Sequence, residues 1–270
     1  MSPLSRIGQW DVPHAGAAIV RLDSPADLWG DVDRPFALAS LTKLFTGYAT
    51  LLAIEEGVLH LDTPAGPLGS TVRHLLSHAG GYGFESGAAV IAPPGRRRIY
   101  SNQGIEVLAE VVEAAVGMPL ASYVTEGVLQ PIGMSDSVFA GSPAFGMTST
   151  VADLQRFASE LMRPRLLAPS TLATAVSVHF AGLAGVLPGF GPQRPMDWGL
   201  GFEVKGTKAP HWSGTLSSRH TFGHFGGAGT FFWIDPTRSL GCICLTDRRF
   251  GPWAPPLWSE LCDAVVAGES

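Results

Sequence analysis

The sequence predicts an α+β fold: an antiparallel sheet built from both chain ends and flanked by helices, with a mostly helical lobe inserted between them. Three observations predict it. Strand-like apolar runs stand near the start and return after Trp198, where the period changes. Between them, apolar residues recur at helical spacing through Ser40–Gly57, Ser101–Val116 and Val151–Met162. Only 15 % of the 270 residues are charged and mean hydropathy is slightly positive, so one large interior is expected. The expected division is a single domain over 1–270. Its α/β lobe takes about 1–60 plus 196–270, and its helical lobe about 61–195.

In order, Ala15–Arg21 (AGAAIVR) reads as a strand and Ala26–Val32 (ADLWGDV) as its partner, with Asp23-Ser24-Pro25 as the turn. A long helix follows from about Ser40 to Gly57. Residues 64–69 form a loop, and Thr71–Ala79 a short helix ended by Gly80-Gly81. Residues 82–99 are irregular, and Arg96-Arg97-Arg98 within them reads as a solvated loop beside Tyr100. Ser101 is the natural N-cap of the helix to Val116. Leu120–Leu129, Val151–Met162 and Pro169–Val178 are further helices, the second capped by Ser149 or Thr150. Residues 180–197 read as a Gly/Pro loop. Gly199–Val204, Thr221–His224, Thr230–Ile234 and Leu240–Leu245 then resemble strands, the last two joined by a hairpin turn at 235–238. Pro255–Val266 closes the chain as a helix. A site is expected where the two lobes meet.

Composition narrows the function. A net charge of −5 gives no reason to expect a nucleic-acid partner. Every apolar run is interrupted before membrane-spanning length, so no membrane partner is expected. The start, MSPLSRIGQWDVPHAG, lacks the apolar core of a secretory signal, and the expected location is cytoplasmic. Cys242 and Cys244 lie two apart on one strand face, too far apart for a disulfide, and with Cys262 read as free buried thiols. His74 and His78 have the i, i+4 spacing of a zinc helix, but Leu-Leu-Ser between them supplies no glutamate base. The segment is read as structural, with no metal and no cofactor expected. The absence of G-x-S-x-G excludes an α/β-hydrolase nucleophile elbow.

Chemistry gathers at three places. The first is Ser40-Leu41-Thr42-Lys43. Between Pro35 and Ile54, Lys43 is the only ionisable group besides Tyr48, so its helix is expected to be buried on all sides. Burial disfavours the charged amine and lowers its pKa toward neutrality. Ser40 lies one turn away on the same face, the geometry of a nucleophile with an adjacent base. Lysine occurs only at 43, 205 and 208, so a lysine here reads as selected for its titratable amine. The second place is Tyr100-Ser101-Asn102 at a helix entry. The third is Gly223-His224-Phe225-Gly226-Gly227-Ala228-Gly229 at a strand end, where glycines allow close approach. Trp198, Trp212 and Phe225 are candidates to line an apolar pocket, or equally to be core aromatics.

In this order, S-x-x-K, Y-S-N and H-F-G resemble the serine β-lactamase and penicillin-binding-protein superfamily. The resemblance is nearest to its class C-like branch, with the family VIII carboxylesterases and D-aminopeptidases. FALASLTKLFTG, TVRHLLSHAGG, YSNQGIEVLAEVVEAAVG, LQPIGM, WGLGFEV and GHFGGAGT carry it along nearly the whole chain. The resemblance implies a β-lactamase/transpeptidase-like fold. It implies Ser40 as the acylated nucleophile, Lys43 as its base and Tyr100 as a proton relay. It also implies that Asn102, His224 and Gly226 contact substrate, Gly226 by keeping the strand edge open, and Phe225 between them is expected to contact it as a pocket aromatic. The N–H groups of Ser40 and Gly227 would form the oxyanion hole. His224 departs from the lysine of many relatives: carboxylate capture is expected to weaken, leaving a partial charge or a hydrogen bond to Tyr100. The expected activity is hydrolysis of small carboxylic esters. The alternatives are a D-amino-acid peptidase, amidase or weak β-lactamase on the same site, or a non-catalytic ligand-binding module.

Overall fold

The computed structural model describes residues 2–269. Met1 and Ser270, the outer limits of the predicted domain, lie outside the described residues. After a 3₁₀ helix over Pro3–Gln9, the chain forms β1 (Ala15–Arg21), β2 (Ser24–Gly30) and β3 (Phe36–Ala37). β2 starts earlier than predicted because Leu22 and Asp23 alone make the turn, and Ser24 already pairs with Arg21. A 3₁₀ turn over Ala39–Leu41 leads into α1 (Thr42–Glu55). Then come α2 (Val72–Leu76), α3 (Asn102–Val116) and α4 (Leu120–Val124), which widens into a π turn over Thr125–Leu129. β4 (Val138–Phe139), β5 (Met147–Ser149), α5 (Val151–Met162) and α6 (Pro169–Ala175) complete the middle. The chain ends with β6 (Gly185–Leu187), β7 (Gly191–Gln193), β8 (Glu203–Val204), β9 (Phe222–Gly226), β10 (Thr230–Asp235), β11 (Leu240–Thr246) and α7 (Ala254–Ala267).

β1 pairs antiparallel with β11, and the main sheet runs β2-β1-β11-β10-β9-β8. Successive side chains leave a strand on opposite faces. Ala18, Val20, Phe232, Ile234, Ile243 and Leu245 accordingly join one core with α1, α3 and α5. Ala17, Ile19, Phe231, Trp233, Cys242 and Cys244 join a second core under α7, with Trp212 and Trp258. Both faces are covered, which explains why β10 and β11 are buried at every residue.

Several expectations are corrected. Residues 180–197 contain the β6–β7 hairpin, whose Gly- and Pro-bearing strands carry no strand signature. Of the strand expected over Gly199–Val204, only Glu203 and Val204 pair. Gly199 N–H instead closes a turn onto Phe202 O (2.8 Å), and Gly201 carries φ 84°. The helix expected over Thr71–Ala79 stops at Leu76. His78 therefore falls outside it, with φ 53°, and the i, i+4 pair with His74 is not formed. Arg98 is not solvated. It is buried, and its guanidinium donates to the carbonyls of Met196 (3.0 Å), His179 (2.6 Å), Phe180 (3.2 Å) and Ser77. Lys205 and Lys208 are buried as well, so rarity of lysine does not by itself distinguish Lys43.

Candidate active site

Ser40 stands in the 3₁₀ turn that feeds α1, immediately after Ala39, a non-glycine residue at φ 48°. Such a conformation is costly and persists only where neighbours enforce it. They do so from both sides. Leu38 donates its N–H to Met147 O (2.9 Å) and accepts at its carbonyl from Thr230 Oγ1 (3.0 Å). Thr42 Oγ1 donates to Ala39 O (2.7 Å) and accepts from Met147 N (3.1 Å). The turn is thereby tied to β5 and β10.

Lys43 follows one turn later, 1 % exposed. Its Nζ lies 2.7 Å from Asn102 Oδ1, 2.8 Å from Ala144 O and 3.3 Å from Ser40 Oγ. Burial lowers its pKa to about 7, against a weaker opposing pull from Glu106. A neutral amine has two N–H donors and one lone pair. The first two partners are pure acceptors, which leaves the lone pair for the Ser40 hydroxyl. Asn102 was expected to touch substrate, yet its carbonyl oxygen is spent on Lys43.

Tyr100 packs among His78, Phe84, Trp198 and His224, with centroid separations of 4.8, 5.6, 5.9 and 5.5 Å. Lys43 Nζ lies 4.9 Å from its ring centroid. Burial raises its pKa beyond the ordinary tyrosine range, so it is a phenol. Ser40 is the side chain that acts on the phenol in the opposite sense, by hydrogen bonding, so the Oη lies on the side of the nucleophile. The expected His224–Tyr100 hydrogen bond is absent. His224 Nδ1 bonds instead to Phe225 O (2.6 Å), and burial, with Lys43 facing it, lowers the imidazole to about 4. His224 supplies no positive charge at neutral pH.

Gly226 was expected to keep the strand edge open. It does the reverse: a Cβ there would strike Leu38 O, so this glycine lets β9 close onto the Ser40 turn. The open position is Gly227, where nothing lies within 4 Å of an added Cβ. Neither the Ser40 N–H nor the Gly227 N–H meets a backbone acceptor among the described residues. Both border a cavity of about 130 Å³, with Tyr100, Trp198, His224, Phe225, Phe84, Leu187, Pro188 and Phe250. Trp212 lies behind it, in contact with Phe225, so of the three proposed aromatics two line the pocket and one is core.

Glu203 also borders the cavity and was not singled out from the sequence. The available signal was a lone acid in WGLGFEV. Burial opposes its ionisation, but Lys208 (3.2 Å) and His211 (3.0 Å) outweigh that and bring its pKa to about 2. Trp212 Nε1 donates to its other oxygen at 2.8 Å. Lys205 is tied to Ser217 O (2.7 Å) and Oγ (2.9 Å). Among the three lysines, only Lys43 has the Ser40 hydroxyl as a partner.

Known proteins share this arrangement of fold and chain. Esterase EstB from Burkholderia gladioli is 25 % identical, over 87 % of this chain and 83 % of its own. The crystal structure of a beta-lactamase from Mycobacterium bovis superposes with a TM-score of 0.97 at 49 % identity, covering 99 % of both chains. A penicillin-binding protein from Bacillus halodurans shares the fold, with a TM-score of 0.79 at 19 % identity over 99 % of both chains. The family model described as Beta-lactamase matches residues 11–261. With nearly the whole chain matched and the β-lactamase/transpeptidase-like fold around Ser40 and Lys43, this protein belongs to the beta-lactamase family of serine hydrolases.

Proposed function

We propose that the protein hydrolyses small carboxylic esters through an acyl-enzyme on Ser40. The carrying observation is the placing of Lys43 Nζ 3.3 Å from Ser40 Oγ and within 2.7 and 2.8 Å of two pure acceptors, Asn102 Oδ1 and Ala144 O, so that the neutral amine keeps its lone pair for the serine hydroxyl. Lys43 takes the proton as Ser40 Oγ attacks the ester carbon. The N–H groups of Ser40 and Gly227 receive the charge that develops on the carbonyl oxygen. Tyr100 donates its phenolic proton to the departing alkoxide and recovers one from the Lys43 ammonium. Water then attacks the acyl-enzyme, giving a proton to Lys43, and the acid leaves as Ser40 regains its hydrogen.

Esters are favoured over β-lactams and D-amino-acid peptides by the neutral His224, since those substrates present a carboxylate. The similarity to EstB points the same way. The test is hydrolysis of p-nitrophenyl butyrate and of a chromogenic cephalosporin by the wild type and Ser40→Ala. Ester turnover lost in a folded Ser40→Ala is the expected result. Undiminished turnover would refute the assignment, and cephalosporin turnover equal to ester turnover would favour the amide reading.

A further inference from the structure

Two polar atoms on residues lining the cavity beside Ser40 are buried and have no partner: Trp198 Nε1 and His224 Nε2. Buried polar groups are nearly always satisfied, so two orphans on residues of one cavity mark a place where a ligand supplies the missing bonds. Their polarity can be read. His224 Nδ1 faces the Phe225 carbonyl, an acceptor, so the ring hydrogen sits on Nδ1 and Nε2 is a bare acceptor. The Trp198 N–H only donates. Glu203, its carboxylate held by Lys208, His211 and Trp212, is also a lining residue.

A carboxylate brings acceptors only, and would meet the His224 lone pair. An ammonium brings donors only, and leaves the Trp198 N–H unmet. A hydroxyl both donates and accepts. The rest of the wall is apolar, from Phe84, Leu187, Pro188, Phe225 and Phe250, and about 130 Å³ suits a short chain. We propose that this cavity takes the acyl part of the substrate through a neutral hydroxyl, making hydroxyacyl esters the preferred substrates. The assignment of the acyl part rests on the Ser40 acyl-enzyme reading.

The test compares methyl butyrate, methyl 3-hydroxybutyrate and monomethyl succinate, by kcat/KM on the wild type and by Kd on Ser40→Ala. The hydroxy ester is expected to lead the plain ester by about tenfold, with the carboxylate ester last, in both measurements. Trp198→Phe and His224→Leu, each removing one orphan atom, are expected to bring the hydroxy-to-plain ratio toward one. His224→Gln, which returns an acceptor, is expected to recover part of it. A wild type that handles methyl butyrate or monomethyl succinate as well as the hydroxy ester overturns the proposal. Turnover that persists in Ser40→Ala refutes the serine-hydrolase reading instead, and the order of Kd on that variant still decides what the cavity prefers.

Discussion

Lys43 has three partners and, as a neutral amine, one use for each, so its protonation state governs the proposed chemistry. Its amine is the base, and the protonated form is inactive. Activity is therefore expected to rise with pH through an apparent pKa of about 7 and to fall away on the acid side, as a pH profile of kcat/KM would show. Lys43→Met is expected to lower kcat by about 10²–10⁴-fold with the fold retained by circular dichroism. This residue was legible because a single cation in a helix with no other charge before Glu55 has nowhere to go but inside. Lys205 and Lys208 were not, since the carbonyls of Ser217 and Asp197 that receive them come from irregular chain without a period to read. The orphan state of His224 was equally hidden. It depends on the carbonyl of Phe225 turning back to its ring.

α1 is the element on which these residues are mounted, and it holds its place by contact as well as by apolar burial. Gly47 meets Gly201 so closely that a Cβ would lie 2.8 Å from its neighbour's Cα. Gly47→Ala is expected to cost about 1–3 kcal/mol in urea unfolding, because backbone has to move. Arg98 does for the 179–196 strap what the glycines do for the helix, joining it to Ser77 through four carbonyls. Arg98→Met would strand those acceptors and is expected to cost on the order of 3 kcal/mol, measured the same way. KM is expected to rise with it, since Leu187 and Pro188 on that strap wall the cavity. Helices with a sustained period, such as Val151–Met162 under Thr150, were legible to the residue. Arg98 was not: three consecutive arginines look alike in sequence, and only the fold decides which one faces inward.

At the scale of the molecule, the buried imidazoles set the acid limit. Burial lowers His211 and His224 to about 4 from the ordinary 6.5, so between those values the unfolded chain binds protons that the native state refuses. The contribution of these two imidazoles is thus expected to be complete above about pH 6.5 and to be lost as pH drops toward 4, seen as a declining urea midpoint. Glu203, lowered to about 2 from 4.5, continues the loss below that. The sheet from both ends was legible because β1, β10 and β11 are apolar, β-rich runs with turns between. The β6–β7 hairpin was not, since its pairing is fixed by neighbours such as Arg98 rather than by its own residues. The pairing of Ala15 with Thr246 also carries a consequence for biosynthesis. A chain emerging from the ribosome exposes β1 long before its inner neighbour exists, and pairing across so great a sequence separation is slow. Until β11 is translated, the apolar face of the first strand has no permanent cover. Nascent chains halted before that point should be the ones that chaperones hold.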